Sequence, residues 1–456
     1  MGNAIFTNLM KSADAASKDI LKTIASIVDE NSFVETDRFI SDHTDLGIAT
    51  GEGVVGGFAH ICDVRIGLFA TNSKVLKGSI GRANAKKIVK TIDAAVSAGL
   101  PVVGILDTAG ARFGEGIDAM EGYADIFAAL SAAYGTVPTA MVVKGADFGL
   151  SAYFCAVTDI CIAYKSAQIA TAGPLVMAGN TKEDPAKIGV GASLYGNCDV
   201  VTHLVENDKG AKDVLAAFVS LTTQPVSECA DDPNRTAKAA ALKNAEELPR
   251  EIFDKNSVLP VRDGFAKEVQ TGFARLGGIA VGYVCTMGKL TADGAGKVTE
   301  LLNTCESFAL PVIDLVDCDG VKTCAACDGK TMRAVSDMLF TYNSICVPKL
   351  ALIYGKAIGV GYAAFAAKSN IDYSVAWADA QIGVMASVSA AQLLYKDEIA
   401  QAKNREQAEK KLAQAYAEEN LLAPIVAQKG YLDNVIEPAL SRPYLAAALQ
   451  IFATKE

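Results

Sequence analysis

Two stretches 210 positions apart carry one pattern, so this chain has to build the same unit twice. Val142–Asp159 reads VVKGADFGLSAYFCAVTD, and Ile353–Ala364 reads IYGKAIGVGYAA. Gly145 and Gly149 of the first recur as Gly355 and Gly359 of the second, an offset of 210. Upstream, Lys87–Gly110 matches Lys297–Gly320 without a gap. Shared positions include Lys87/Lys297, Ser97/Ser307, Leu100/Leu310, Pro101/Pro311, Asp107/Asp317 and Gly110/Gly320. The tripeptide AQI at 167–169 returns at 380–382. A register held from Lys87 to Gly149 marks duplication rather than two unrelated βα units with similar turns.

Each copy reads as an apolar strand, a glycine-rich turn and a run of small apolar residues suited to a buried helix. A strand that breaks into a helix start presents backbone N–H groups with no partner inside the helix. Glycine lets a ligand approach that backbone. Two adjacent N–H groups there can hold the oxygen of an enolate or a tetrahedral intermediate. The expectation is one oxyanion pocket per half.

In chain order, residues 1–35 predict a helical arm with Leu21, Ile24, Ile27 and Val28 on one face. Asp42–Gly57 reads as loop and strand, turning through GEGVVGG into a strand pair, and Phe58–Asn72 alternates as a strand. Next come helix Ala83–Ala98, buried strand Val102–Leu106, glycine loop Asp107–Arg112, helix Tyr123–Tyr134 and strand Pro138–Val143. Gln224–Arg250, rich in Pro, Asp, Asn, Lys and Ala, marks a break with one helix around Ala237–Ala245. A glycine-flanked strand starts near Arg275, and Gln401–Glu419 predicts an exposed, charged helix. The expected domains are 1–225, a linker at 226–260, and 261–456.

Bulk properties exclude several classes. Net charge is −10 with no basic tract, which argues against nucleic-acid binding. No apolar run reaches the roughly 18–20 residues of a membrane span, and the first residues lack a secretory apolar segment. Eleven cysteines, many in apolar context, suit a reduced cytoplasm. Cys324 and Cys327 form a lone CxxC near Cys318, with no histidine close by to complete a zinc site. The three histidines, His43, His60 and His203, all lie outside the glycine turns, so a Ser/His/Asp or Cys/His enzyme is hard to build.

Five segments together resemble the carboxyltransferase (beta-type) subunit family of biotin-dependent acyl-CoA carboxylases and decarboxylases, over roughly residues 30–440. KGSIGRANAKKIVK is similar to the family's GGS-x-G…EKIVK segment, and LDTAGARFGEG to its DSGGAR-x-x-EG loop. GADFGLSAYFCAVTD resembles the turn GPCAGGAVYSPAITD in ungapped register. GKAIGVGYAA resembles KAYGGAY, and VAWADAQIGVM resembles LAWPTAQIAVMG. The sequence departs from the family at FGL, at GVG, and at DGVKTCAACDG, which replaces a PGF-x-PG loop.

The resemblance implies an α/β protein of two tandem crotonase-like ββα-superhelix domains, the first on the acyl-CoA side and the second on the biotin side. It implies carboxyl transfer between N1 of biotin and the α-carbon of a short acyl-CoA, in a carboxylase or a decarboxylase. Gly149 and Leu150 would hold the thioester oxygen, and Val360 and Gly361 the ureido oxygen of biotin. Lys77, Gly78, Ser79, Gly81, Lys87, Ala109, Gly110, Ala111, Arg112, Gly173, Pro174 and Gly359 would bind coenzyme A or biotin. Biotin would supply the base, so no strong side-chain base is needed. No biotinyl-lysine AMKM segment and no GxxxxGK[ST] loop is present, so a biotin carrier protein is the expected partner. A biotin carboxylase or a membrane decarboxylase subunit would join it, and the chain would be at least a homodimer. No metal is expected.

Residue by residue, blander readings stand beside these. Lys77, Arg82, Lys86 and Lys87 near a helix start read equally as phosphate contacts or as a solvated face. Arg112 reads as a ligand contact or as a pin for its loop. Asp107 and Asp317, at strand ends, read better as loop-capping residues than as catalytic acids. A crotonase-type hydratase or isomerase would need a carboxylate at the first turn, for which only Glu115 and Asp147 qualify. A non-catalytic scaffold subunit is a further alternative. A nicotinamide dehydrogenase fits least, since neither half opens a helix with GxGxxG straight after a strand.

Overall fold

The computed structural model describes residues 2–41, 50–229, 231–232, 234–239, 242 and 244–453. His43 and most of the loop read from Asp42 onward lie outside the described residues, as do 240, 241 and 243 of the expected helix at Ala237–Ala245. The chain forms two compact units, Met1–Thr223 and Gln224–Glu456.

The first unit contains β1 (Val34–Thr36), β2 (Val54–Ile61), β3 (Val64–Thr71), β4 (Val102–Thr108), β5 (Thr139–Phe148), β6 (Ile160–Tyr164), β7 (Gln168–Ala170) and β8 (His203–Val205). They pair in the order β1-β2-β3-β4-β5-β6-β8, and β7 joins the far end of β5. The second unit contains β9 (Leu259–Val261), β10 (Val269–Leu276), β11 (Ile279–Thr286), β12 (Gly288–Leu290), β13 (Val312–Val321), β14 (Lys349–Ile358), β15 (Tyr373–Trp377), β16 (Gln381–Gly383) and β17 (Asn434–Ile436). Their order is β9-β10-β11-β13-β14-β15-β17, with β16 on the far end of β14. Each sheet therefore has an antiparallel hairpin at one side and parallel strands beyond it.

The duplication is visible in the register. Strands β5 and β14 differ by 210 residues at both ends, as do helices Arg82–Ser97 and Ala292–Ser307. Parallel strands buried on both faces need apolar runs; VVGIL of β4 supplies one, and VIDLV of β13 is interrupted by buried Asp314, which accepts from the Tyr342 hydroxyl at 2.8 Å. Helix Arg82–Ser97 buries Ala85, Ile88, Ile92 and Ala95, one stripe at helical spacing. Its twin buries Ala295, Val298, Leu302 and Cys305.

Several elements differ from the sequence expectation. Phe58–Asn72 is not one strand: it holds the second half of β2, a turn at Cys62 and Asp63, both at positive φ, and all of β3. The third helix begins at Ile117, two turns earlier than expected, directly after Gly116. Gly145 and Gly355 lie within β5 and β14, not in the turns. From the stretch expected as a linker, Ala237, Ala239, Leu248, Ile252 and Phe253 join the core of the second unit. The charged segment at 401–419 is helical over Arg405–Asn420, with Lys410 on Glu406 at 2.7 Å. Among the described residues no helix is long and apolar enough to cross a membrane. Nine cysteines are free, and Cys324 is disulfide-linked to Cys327.

Candidate active site

Each unit ends its central strand in the same device. β5 closes at Phe148, and a 3-10 helix runs from Gly149 to Cys155. β14 closes at Ile358, Gly359 turns, and a helix runs from Val360 to Phe365. Gly149 sits at φ +74 and Gly359 at φ +56, a backbone conformation that glycine takes without the Cβ penalty. The first amides of a helix have no acceptor within it. In the second unit the Gly359 carbonyl takes the Tyr362 and Ala363 amides, at 3.2 and 3.0 Å, leaving Val360 and Gly361 as the leading donors. In the first unit Gly149 and Leu150 hold those leading positions.

Asp107 and Asp317 explain the inner glycines. A Cβ on Gly145 would lie 2.4 Å from the Asp107 carboxylate, and one on Gly355 2.5 Å from that of Asp317. Asp107 accepts from the Ala146 amide at 3.0 Å, and Asp317 from the Lys356 amide at 2.8 Å. Both aspartates cap the neighbouring strand and are occupied in doing so.

The expected coenzyme A segments come together in the first unit. The Ala109 amide donates to Lys77, the Ile80 amide to Gly110, and the Arg112 amide to Ile80, each at 2.9 Å. This zips the segment 77–81 onto the loop 107–112. Lys77, Ser79, Ala109, Ala111, Arg112 and Phe113 line a cavity of about 620 Å³. Gly110 ties the loop to the turn, since a Cβ there would stand 2.6 Å from the Phe148 carbonyl oxygen. Gly78 closes the 3-10 turn Leu76–Gly78, and Gly81 precedes helix Arg82–Ser97. Gly173 and Pro174 open the helix Pro174–Thr181, which follows β7.

Two expected ligand residues face inward. Arg112 is buried and bonds Glu52 and Glu115, at 2.7 and 2.9 Å, and the Ser79 carbonyl at 3.1 Å. It pins its loop. Lys87 is buried, and its ammonium donates to the carbonyls of Val54 and Gly51. Burial lowers it to about 8. Its twin Lys297 donates to the Val269 and Phe265 carbonyls at 2.7 and 2.8 Å and is likewise lowered to about 8 by burial. Each lysine fastens a helix to the start of its hairpin.

In the second unit, Gly359, Tyr362, Val384, Tyr416, Lys429 and Tyr431 line a cavity of about 460 Å³ beside the turn. Sequence reasoning missed all of these except Gly359. Phe113, 95% exposed on the first cavity, was also missed. A solvent-facing aromatic inside a glycine loop was its available signal. Tyr416 had none, because it lies in a helix whose charged, Ala-rich sequence reads as solvent-exposed.

Residues 13–456 match the family model described as carboxyl transferase domain. The alpha subunit of methylmalonyl-CoA decarboxylase from Veillonella parvula is 30% identical, over 95% of this chain and 89% of its own length. The mitochondrial propionyl-CoA carboxylase beta chain of Mus musculus is 28% identical, over 95% and 84%. A crystal structure of transcarboxylase 12S, described as a hexamer assembly with methylmalonyl-coenzyme A and methylmalonic acid bound, superposes with a TM-score of 0.89. It is 27% identical and covers 95% of this chain and 89% of that one.

Proposed function

Since this chain belongs to the carboxyl transferase domain family, we propose that it moves a carboxyl group between biotin on a separate carrier protein and the α-carbon of a short acyl-CoA. The observation that carries the proposal is the doubling of one strand–glycine turn–helix device, ending β5 at Gly149 and β14 at Gly359, in a chain of this family. Transfer between two carbonyl-bearing partners asks for two such devices, and a hydratase asks for one. The hydratase and scaffold readings lose ground with the family. Asp147 is fully buried, and Glu115 is held by Arg112 and by the Arg82 amide.

In the first unit, the cavity along Lys77–Ser79 and Ala109–Phe113 receives coenzyme A, and the leading amides of the 3-10 helix receive the thioester oxygen. In the second unit, the tyrosine-walled cavity and the Gly359 turn fit a small planar ring system with one polar oxygen. When bound, biotin supplies the carboxyl group and the proton acceptor. Val360 and Gly361 stabilise negative charge on the ring oxygen, and each such donor is worth about 3–4 kcal/mol in comparable sites. The same proposal includes a homo-oligomer, a biotin carrier with a biotin carboxylase or membrane decarboxylase subunit, and a cytoplasmic location.

The test is decarboxylation of malonyl-CoA and methylmalonyl-CoA by the purified protein, with and without free biotin. Loss of CO2 that requires biotin is expected. Enoyl-CoA hydration without biotin would replace the proposal by the hydratase reading. Thioester binding with no biotin-dependent turnover of either substrate would replace it by the scaffold reading.

A further inference from the structure

Behind the first turn lies a buried polar patch that the transfer chemistry above does not use. Asp147, the penultimate residue of β5, is 0% exposed. Its Oδ2 receives the Cys155 thiol at 3.3 Å, and its Oδ1 has no partner among the described residues. The Tyr123 hydroxyl, brought in by helix Ile117–Ala133, is the second orphan. Both face the Ser151 hydroxyl, which donates to the Phe148 carbonyl at 3.0 Å. Asp147, Phe148 and Ser151 thus form the inner wall of the turn that presents Gly149 and Leu150. At the equivalent positions 210 residues on, the second unit has Ala357 and Gly361 in place of Asp147 and Ser151. Asp147 also replaces the cysteine of the family turn.

Resting on the function proposed above, we propose that Asp147 is a positioning residue for the first turn, and that Gly149 and Leu150 accept a thioester oxyanion only while the Asp147 carboxyl is protonated. The surroundings favour that state. Tyr123 faces Asp147 from its helix, and Ser151 and Cys155 from theirs. Cys161 of β6 lies behind Cys155, and Thr108 of β4 is the strand neighbour. Asp107, also on β4, is engaged by the Ala146 amide. None of these carries a positive charge. Burial pushes Asp147 up to about 7, against the pull of Ser151 and Cys155. Burial likewise pushes the Tyr123 hydroxyl up, and Cys161 together with burial pushes up the Cys155 thiol, so both stay neutral. A protonated carboxyl leaves this wall uncharged, with the Tyr123 hydroxyl and Asp147 Oδ1 both buried and without a partner among the described residues. An ionised one would set a negative charge behind the amides that must hold another, in a low-dielectric wall where the repulsion is strong.

The test compares wild type with Asp147→Asn and Asp147→Cys, the latter restoring the family residue, in biotin-dependent decarboxylation of methylmalonyl-CoA. Relative to either variant, wild-type kcat/KM should fall about 30-fold between pH 6 and pH 8.5, the course of one proton leaving a group near 7. A ratio independent of pH overturns the proposal. Urea unfolding supplies a readout that needs no turnover. The folded carboxyl holds its proton to higher pH than the unfolded one, so wild type should lose about tenfold in folding equilibrium per pH unit from roughly pH 4 to 7, relative to Asp147→Asn. Absence of that loss means an ordinary, ionised aspartate and also overturns the proposal. If the loss is present but no biotin-dependent turnover occurs in any form, the transferase reading fails, and with it the stated role of the proton.

Discussion

At the level of single residues, the paired lysines teach the most. Lys87 and Lys297 look like surface cations near helix starts, and a coenzyme A phosphate is the natural partner to imagine for Lys87. The structure buries both and gives each backbone carbonyls. Repetition was the clue available in the sequence, because a cation kept at the same register in both copies serves what the copies share, their packing. A pH dependence follows. An ordinary lysine keeps its proton to about 10.5, while these two keep theirs only to about 8. Between those values the unfolded chain binds more protons, so stability rises with pH across that window and is lost as pH falls back through it. Lys87→Met should lack its share of the rise, about 1.4 kcal/mol per pH unit. The stability of the variant relative to wild type should be highest near pH 7, where wild type carries the buried charge, and fall as pH rises toward 10.5. Urea midpoints of the two proteins from pH 7 to 10.5 measure both. Parallel curves would show that the lysine is not desolvated.

At the level of elements, legibility depended on whether the local signal was chemical or only geometric. Helix Arg82–Ser97 and the buried strand β4 were readable to within one residue at their starts, because periodicity and the Leu-Pro before the strand announce them. The hairpin turns contrast. Gly277 and Gly278 lie at φ +60 and +84 between β10 and β11, where two glycines are the expected choice. The same turn between β2 and β3 is made by Cys62 and Asp63 at φ +47 and +64. No glycine marks it, and a five-residue shift of register between the copies hides its twin. Both residues occupy a conformation that costs most side chains about 1–2 kcal/mol. Asp63→Gly should therefore raise stability by about 1 kcal/mol, read as a higher melting temperature with unchanged turnover. A lower melting temperature would mean that the Asp63 amide bond to Asp29, at 3.0 Å, depends on the aspartate side chain for its geometry. The inner glycines show the opposite failure. Gly145 and Gly355 suggest turns, yet each lies in a strand because a neighbouring aspartate needs the space.

At the level of the whole molecule, the copies share a scaffold and differ in what surrounds the turn. The first sets a zipped loop pair and a buried carboxyl against Gly149. The second sets three tyrosines and a lysine beside Gly359, and carries the disulfide-closed loop at Cys324–Cys327. Duplication was legible because register survives substitution. The lining of the second cavity was not, since Tyr362, Tyr416 and Tyr431 meet only when helix Arg405–Asn420 returns to the turn. If each unit serves one partner, damage should separate by unit. A Cβ at Gly110, already at φ +97, would press on the Phe148 carbonyl at 2.6 Å. A Cβ at Gly361 would press on the Cys318 carbonyl at 2.7 Å. Each substitution should displace its own turn at a stability loss of about 2–3 kcal/mol. Gly110→Ala should weaken acyl-CoA binding, measured calorimetrically, at least tenfold. Gly361→Ala should leave that binding within twofold of wild type and lower biotin-dependent decarboxylation by about 100-fold, the scale of one misplaced oxyanion donor. Equal loss of thioester binding in both variants would mean that the turns do not serve separate partners, and the assignment of one oxyanion to each unit would fall.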